Sequence, residues 1–197
     1  ALKFYNQSLP LSRAVGDRSQ EAVTLNNIGI VYDTLGQKQE ALKFYNQSLP
    51  LSRAVGDRSQ EAVTLNNIGR VYDSLGEKQE ALKFYNQSLP LSRAVGDRSQ
   101  EAVTLNNIGG VYDTLGEKQE ALKFYNQSLP LFRAVGYRSG EAVTLNNIGG
   151  VYDTLGQKQE ALKFYNQSLP IFRAVENRSG EATTLSNIGR VYSNLGE

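Results

Sequence analysis

Apolar positions along the chain fall into two kinds of stripe that alternate from end to end. Between Asp17 and Gly36, the residues Ala22, Leu25, Ile28, Gly29, Tyr32 and Leu35 recur at steps of three and four. That spacing lines one side of an α-helix. Asp17 with Gln20 three positions on has capping-box character, and Glu21 adds negative charge to the first turn. Gly36 stands where a helix C-terminus takes a left-handed residue. This stretch predicts a first helix, A. A second stripe runs from Lys38 to Val55, through Ala41, Tyr45, Ser48, Ser52 and Val55, flanked by Leu42, Phe44, Leu49 and Leu51. Glu40 and Lys43 are three apart on its polar side, and Gly56 closes it. This is helix B.

The two stripes repeat. The stretch Ala41 to Glu80 begins again at Ala1, Ala81, Ala121 and Ala161, and its last copy stops at Glu197. A fixed period of forty residues signals a stacked array whose units pack on their neighbours rather than around one central core. The cap signals place complete A–B pairs at residues 17–56, 57–96, 97–136 and 137–176. A single helix B over 1–16 and a single helix A over 177–197 flank them, so one array is expected over 1–197. The predicted fold class is all-α.

Pro10, Pro50, Pro90, Pro130 and Pro170 each fall at the same place inside helix B. An internal proline removes one backbone bond and clashes with the carbonyl four residues back. Helix B either breaks near Leu49 or bends and continues, and the unbroken phase of the apolar stripe favours the bend. Substitutions gather towards the C-terminus. Tyr137 and Asn177 replace the Asp17-type cap, Gly140 and Gly180 replace Gln20, Phe132 and Phe172 replace Ser52, and Glu176 replaces a glycine. The bulkier phenylalanines suggest different packing between the last helices.

Composition narrows the chemistry. The chain of 197 residues has no Cys and no His, which removes thiol chemistry, disulfides and the commonest general base and metal ligand. A formal charge of +1 gives no electrostatic footprint for nucleic acid. No apolar run has the length of a membrane span, no signal-peptide pattern opens the chain, and the missing initial Met suggests a fragment of a longer protein. A cytoplasmic setting is the default expectation. The glycine pairs at 109–110 and 149–150 lie inside helices and make no phosphate loop. No enzymatic activity, cofactor or metal is expected.

Leu25, Ile28, Gly29, Tyr32, Gly36, Ala41, Tyr45 and Ser48 fall in the order of the tetratricopeptide-repeat signature, so the chain resembles that family over its whole length. Leu25 stands where the signature has Trp, and Ser48 where it has Ala. The unit is longer than the usual repeat of about thirty-four residues, as in kinesin light chains and many bacterial regulatory proteins. The TLNNIG stretch especially is similar to the kinesin-light-chain form. The resemblance implies an α-α superhelix, a solenoid of antiparallel helix pairs with helix A lining a concave surface where peptides bind.

The helix A face opposite the core stripe carries Val23, Asn26, Asn27, Ile30, Asp33 and Thr34. The asparagines recur as Asn66 and Asn67, Asn106 and Asn107, and Asn146 and Asn147. Each offers donors and an acceptor, and so suits clamping the backbone of an extended peptide or bonding to the neighbouring helix. One position changes from unit to unit: Ile30, Arg70, Gly110, Gly150 and Arg190. Specificity is most simply written there. Arg70 and Arg190 suit a partner's carboxylates. The acidic row of Asp33, Asp73, Asp113 and Asp153 suits a peptide with basic character, or pairing within the array. The leading expectation is a protein-interaction scaffold that takes a peptide or protein segment on this face. The competing expectations are a spacer that stacks head to tail through its terminal helices, and a regulatory arm of a larger signalling or protease-like protein.

Overall fold

The computed structural model describes residues 1–196. Among them are ten helices and no strand. In chain order these are α1 (Leu2–Ala14), α2 (Arg18–Thr34), α3 (Lys38–Ala54), α4 (Arg58–Ser74), α5 (Lys78–Ala94), α6 (Arg98–Thr114), α7 (Lys118–Ala134), α8 (Arg138–Thr154), α9 (Lys158–Ala174) and α10 (Arg178–Leu195). Even-numbered helices are of type A and odd-numbered ones of type B. The fold is all-α, of the tetratricopeptide-solenoid type. The chain divides into two compact units, Ala1–Gln100 and the residues from Glu101 onward, with the division inside the first turn of α6.

Local signals account for the helix limits. Asp17 Oδ1 accepts a hydrogen bond from the Gln20 amide at 2.9 Å, and Asp57 does the same for Gln60. Gly36 closes α2 with φ 76°, a left-handed conformation that glycine reaches without steric penalty. At the end of α9 the same turn is made by Glu176, with φ 54°, the one described non-glycine residue at positive φ.

Helix B runs unbroken through its proline in every copy. Asn46, whose carbonyl loses its partner at Pro50, lies with Pro50 on the exposed side of α3, where water can satisfy it. Leu49 and Ser52 are buried on the opposite side and hold the helix on both sides of the proline.

Within the first unit, α2 and α3 are joined by a glycine-to-ring contact. A Cβ at Gly29 would stand 2.5 Å from the Tyr45 ring, so only glycine lets the helices approach this closely. Ser48 Oγ, fully buried, donates to the Ala22 carbonyl at 2.7 Å, while Tyr32 stacks on Phe44 at 5.3 Å. The second unit repeats all three contacts in α8 and α9: Gly149 against Tyr165, Ser168 to Ala142 at 2.9 Å, and Tyr152 on Phe164 at 5.4 Å. Two members of the expected stripes depart from them. Leu35 and Val55 are exposed, because each follows the last turn of its helix, where the chain swings away from the core.

The C-terminal substitutions prove to be coupled. A Cβ at Gly140 would stand 2.7 Å from the Phe132 ring, and Gly180 is covered by Phe172 in the same way. The ring at the end of helix B lies over the position where the other copies carry a glutamine. Serine with glutamine has become phenylalanine with glycine, twice, which keeps the local volume filled. Phe132 also meets Tyr137 edge-to-face at 5.5 Å.

Candidate functional site

The asparagines of the helix A face form a ladder between successive A helices. In the first unit, Asn26 Oδ1 accepts from Asn67 Nδ2 at 3.1 Å and from Thr64 Oγ1 at 3.3 Å. In the second, Asn106 Oδ1 accepts from Thr144 Oγ1 at 3.0 Å. Asn146 Oδ1 accepts from Thr184 Oγ1 at 3.1 Å and Asn187 Nδ2 at 3.4 Å. Asn26, Asn66 and Asn67 are buried, whereas Asn27, Asn106, Asn107, Asn146 and Asn147 remain half-buried. The ladder therefore uses the carbonyl oxygens of Asn26, Asn106 and Asn146 as acceptors, which leaves the NH2 groups of Asn106 and Asn146 for other partners.

The acidic row pairs within the array. Lys38 Nζ meets Asp33 Oδ1 at 2.5 Å, and Arg70 Nη2 on the next A helix donates to Asp33 Oδ2 at 2.7 Å. Asp153 is held alike: Lys158 stands at 2.5 Å from Oδ1, and Arg190 Nη1 at 2.8 Å from Oδ2. The Arg190 pair is a charge contact without hydrogen-bond alignment, since Asp153 Oδ2 has no directed partner. Asp73 and Asp113 pair with Lys78 and Lys118. Arg70 and Arg190, which suited a partner's carboxylates, are thus engaged inside the stack, because an aspartate of the preceding A helix lies within their reach. Ile30 is half-buried against the first unit's core.

Beneath this row lie the tyrosines of helix B. Tyr45 and Tyr165 are buried, and their hydroxyls have no aligned hydrogen-bond partner. Burial pushes both up to about 12, with Asp33 adding to the effect at Tyr45 and Asp153 at Tyr165, while Arg70 and Arg190 oppose it. Tyr85 is raised as well, chiefly by burial.

The Phe/Gly exchange opens the face further along. A cleft of about 300 Å³ lies between α6 and α8, lined by Val103, Asn106, Phe132, Tyr137, Gly140 and Val143. A second, of about 260 Å³, adjoins it through Val143 and Asn177 and reaches Asn146, Phe172 and Thr183. Both lie within the second unit. Apolar ring and valine surface stands there beside amide groups, the composition of a site for a peptide side chain.

The model of the tetratricopeptide repeat matches residues 1–54, 48–94, 79–134, 102–174 and 140–197, which together cover the chain. The chain belongs to the tetratricopeptide-repeat family. No curated protein matches it in sequence. Among solved structures it is similar to BtubC (BKLC) from P. vanneervenii, at 18% identity and a TM-score of 0.85, covering 98% of this chain and 82% of that one. It is similar also to RapI in its apo form, at 19% identity and a TM-score of 0.85, covering 100% and 76%. A third likeness is a signal transduction ATPase with a tetratricopeptide repeat sensor from Pyrococcus horikoshii, at 16% identity and a TM-score of 0.83, covering 97% and 29%. At such identities the likeness is one of fold.

In the tetratricopeptide-repeat units, Asn106 and Asn146 line two adjoining clefts that share Val143, whereas Gly110 and Gly150 sit nearer the helix C-termini in the same turns as Asp113 and Asp153. The threonines of the ladder and the lysines that grip the aspartates did not emerge from the sequence reading. Their signal was present in the TLNN segment, which becomes TLSN in the last copy, and in the KQE segment; the threonine of the one and the lysine of the other recur in every copy.

Proposed function

We propose that this chain is a protein-interaction scaffold whose second unit takes a peptide segment along the helix A face of α6, α8 and α10. The observation that carries this reading is the pair of adjoining clefts around Val143, apolar at Phe132 and Phe172 and flanked by the half-buried amides of Asn106 and Asn146. An apolar side chain of the segment fills the cleft, and the unused amide donors meet its backbone. Asn107, Asn147, Gly110, Gly150 and Asp113 extend the same face. Support comes from the family, and from the fold's likeness at 15% identity to a Rap protein complexed with competence and sporulation factor.

The test is selection of binders from a random peptide library on the intact chain, followed by Val143→Asp. Val143 is 38% exposed, so the substitution leaves the core intact while placing a charge in the cleft. Affinity of the selected peptides is expected to fall at least about tenfold, or 1.4 kcal/mol. Unchanged affinity removes the cleft from the proposal. A spacer that stacks copies end to end is the competing reading, and concentration-dependent sedimentation without peptide binding would favour it.

A further inference from the structure

The variable position of helix A is occupied by Ile30 on α2, Arg70 on α4, Gly110 on α6, Gly150 on α8 and Arg190 on α10. Where it is arginine, the guanidinium reaches the aspartate of the preceding A helix, Arg70 to Asp33 and Arg190 to Asp153. Covered in this way, the aspartate side chains are 9% and 1% exposed. Gly150 has no side chain to offer, and Asp113, its counterpart on α6, keeps a third of its side chain exposed with Lys118 as its ion-pair partner. A side chain at 150 would start 3.8 Å from the Tyr165 hydroxyl, which is buried and has no hydrogen-bond partner. The array thus contains two filled examples of a guanidinium seat, and the second unit holds, at Asp113 and Gly150, a seat with the arginine missing.

We propose that the seat formed by Asp113, Gly150 and Tyr165 receives an arginine side chain of the bound segment, in the place where Arg190 lies over Asp153. This rests on the peptide-binding reading above and names the class of segment: one carrying arginine. The physical reasons follow from the filled examples. A guanidinium presents several donors in a fixed plane and can meet the free carboxylate oxygen while its stem covers the bare backbone at Gly150. Lysine, a compact and strongly hydrated point charge, matches that plane less well. Gly150 also costs α8 about 1 kcal/mol of helix propensity relative to alanine, and packing does not require it, since a Cβ there would meet only the Tyr165 hydroxyl at 3.8 Å. Along the same face Val143 lies seven positions earlier, roughly 10 Å at the rise of an α-helix. An extended peptide spans that distance in three residues or so, which lets the cleft and the seat hold one segment.

The test uses the whole chain and two small probes, N-acetyl-arginine amide and its uncharged counterpart N-acetyl-citrulline amide, followed by backbone amide shifts. The arginine probe is expected to give saturable shifts at Asp113 and Gly150, and the citrulline probe none of comparable affinity. Asp113→Asn removes the charge, and Gly150→Arg fills the seat from within; each is expected to weaken probe binding at least about tenfold. Gly150→Arg also raises helix propensity, so its fold is secure and a rise in thermal midpoint checks that the new side chain has found Asp113. Arg190→Gly is the converse, and is expected to create a second set of shifts at Asp153. Equal binding of the two probes, binding untouched by both substitutions, or no saturable shift at Gly150 overturns the proposal. Library peptides separate this failure from that of the cleft. Peptides that lose affinity with Val143→Asp yet ignore Gly150→Arg leave the cleft standing without the seat. Peptides that respond only to Gly150→Arg leave the seat without the cleft.

Discussion

At the scale of single residues, one backbone angle and one pair of exchanges carry measurable consequences. Glu176 holds φ 54° where Gly16, Gly56, Gly96 and Gly136 hold the corresponding turns. A side chain in that region crowds the following carbonyl at a cost of about 1–2 kcal/mol, partly offset because glycine adds freedom to the unfolded chain. Glu176→Gly is therefore expected to stabilise the protein by about 1 kcal/mol, read as a higher urea midpoint at unchanged slope. The Phe132 and Gly140 pair predicts a sign reversal. Gly140→Gln alone drives a side chain into the Phe132 ring and is expected to cost about 1–3 kcal/mol. In the Phe132→Ser background the same substitution restores the Ser52 and Gln60 arrangement and is expected to cost far less. A double-mutant cycle in urea measures the coupling, and additive effects would show that the ring and the glycine act separately.

At the scale of elements, the A helices are tied to one another by polar side chains as well as by packing. Thr184 donates to Asn146, and Thr144 to Asn106, across neighbouring A helices of the second unit. Both threonines are fully buried, so an amide oxygen that loses its donor there is left poorly solvated. Thr144→Val keeps the shape and removes one hydroxyl; it is expected to destabilise the array by about 1–2 kcal/mol. Hydrogen exchange on α6 and α8 would localise the loss. The ladder also explains why the asparagine face has less free valence than its sequence suggests. Asn26 serves two donors at once, and Asn67 is one of them.

At the scale of the whole molecule, repetition multiplies a small effect. Tyr45 and Tyr165 have their ionisation pushed up to about 12 by burial, from the ordinary 10.0, and Tyr85 is raised too. A phenol whose folded pKa lies above its unfolded one contributes stability that is complete below pH 10.0 and is lost as the pH rises through about 12. Denaturant midpoints are therefore expected to hold steady up to about pH 10 and to fall through pH 12. Tyrosinate absorbance of these residues is expected to emerge together with unfolding rather than ahead of it. A stability curve that stays flat through pH 12 would show that these hydroxyls gain access to water in the folded state.

The sequence alone determined the helices, their caps, the pairing of A with B and the family. Each rests on information within a few residues: a step of three or four, an Asp three positions before an amide, a glycine after the last turn. Repetition then made the stacking legible, because a stripe that recurs every forty residues has no partner except its own neighbours. Continuity through Pro50 was favoured by the phase of the stripe, but was decided by where Asn46 and Pro50 face. What only tertiary structure decided are relations across one whole unit, roughly forty positions apart. Arg70 reaches Asp33, Asn67 reaches Asn26, and Thr144 reaches Asn106, at separations of 37, 41 and 38 residues. Charge and amide content mark such residues as polar, and cannot say whether a polar group faces a partner or its own neighbour. That depends on the distance between successive A helices, to which the close approach of each A helix to its B helix at the glycine and tyrosine contacts contributes. The same distance turns Gly150 from a weak point in a helix into an opening beside Asp113.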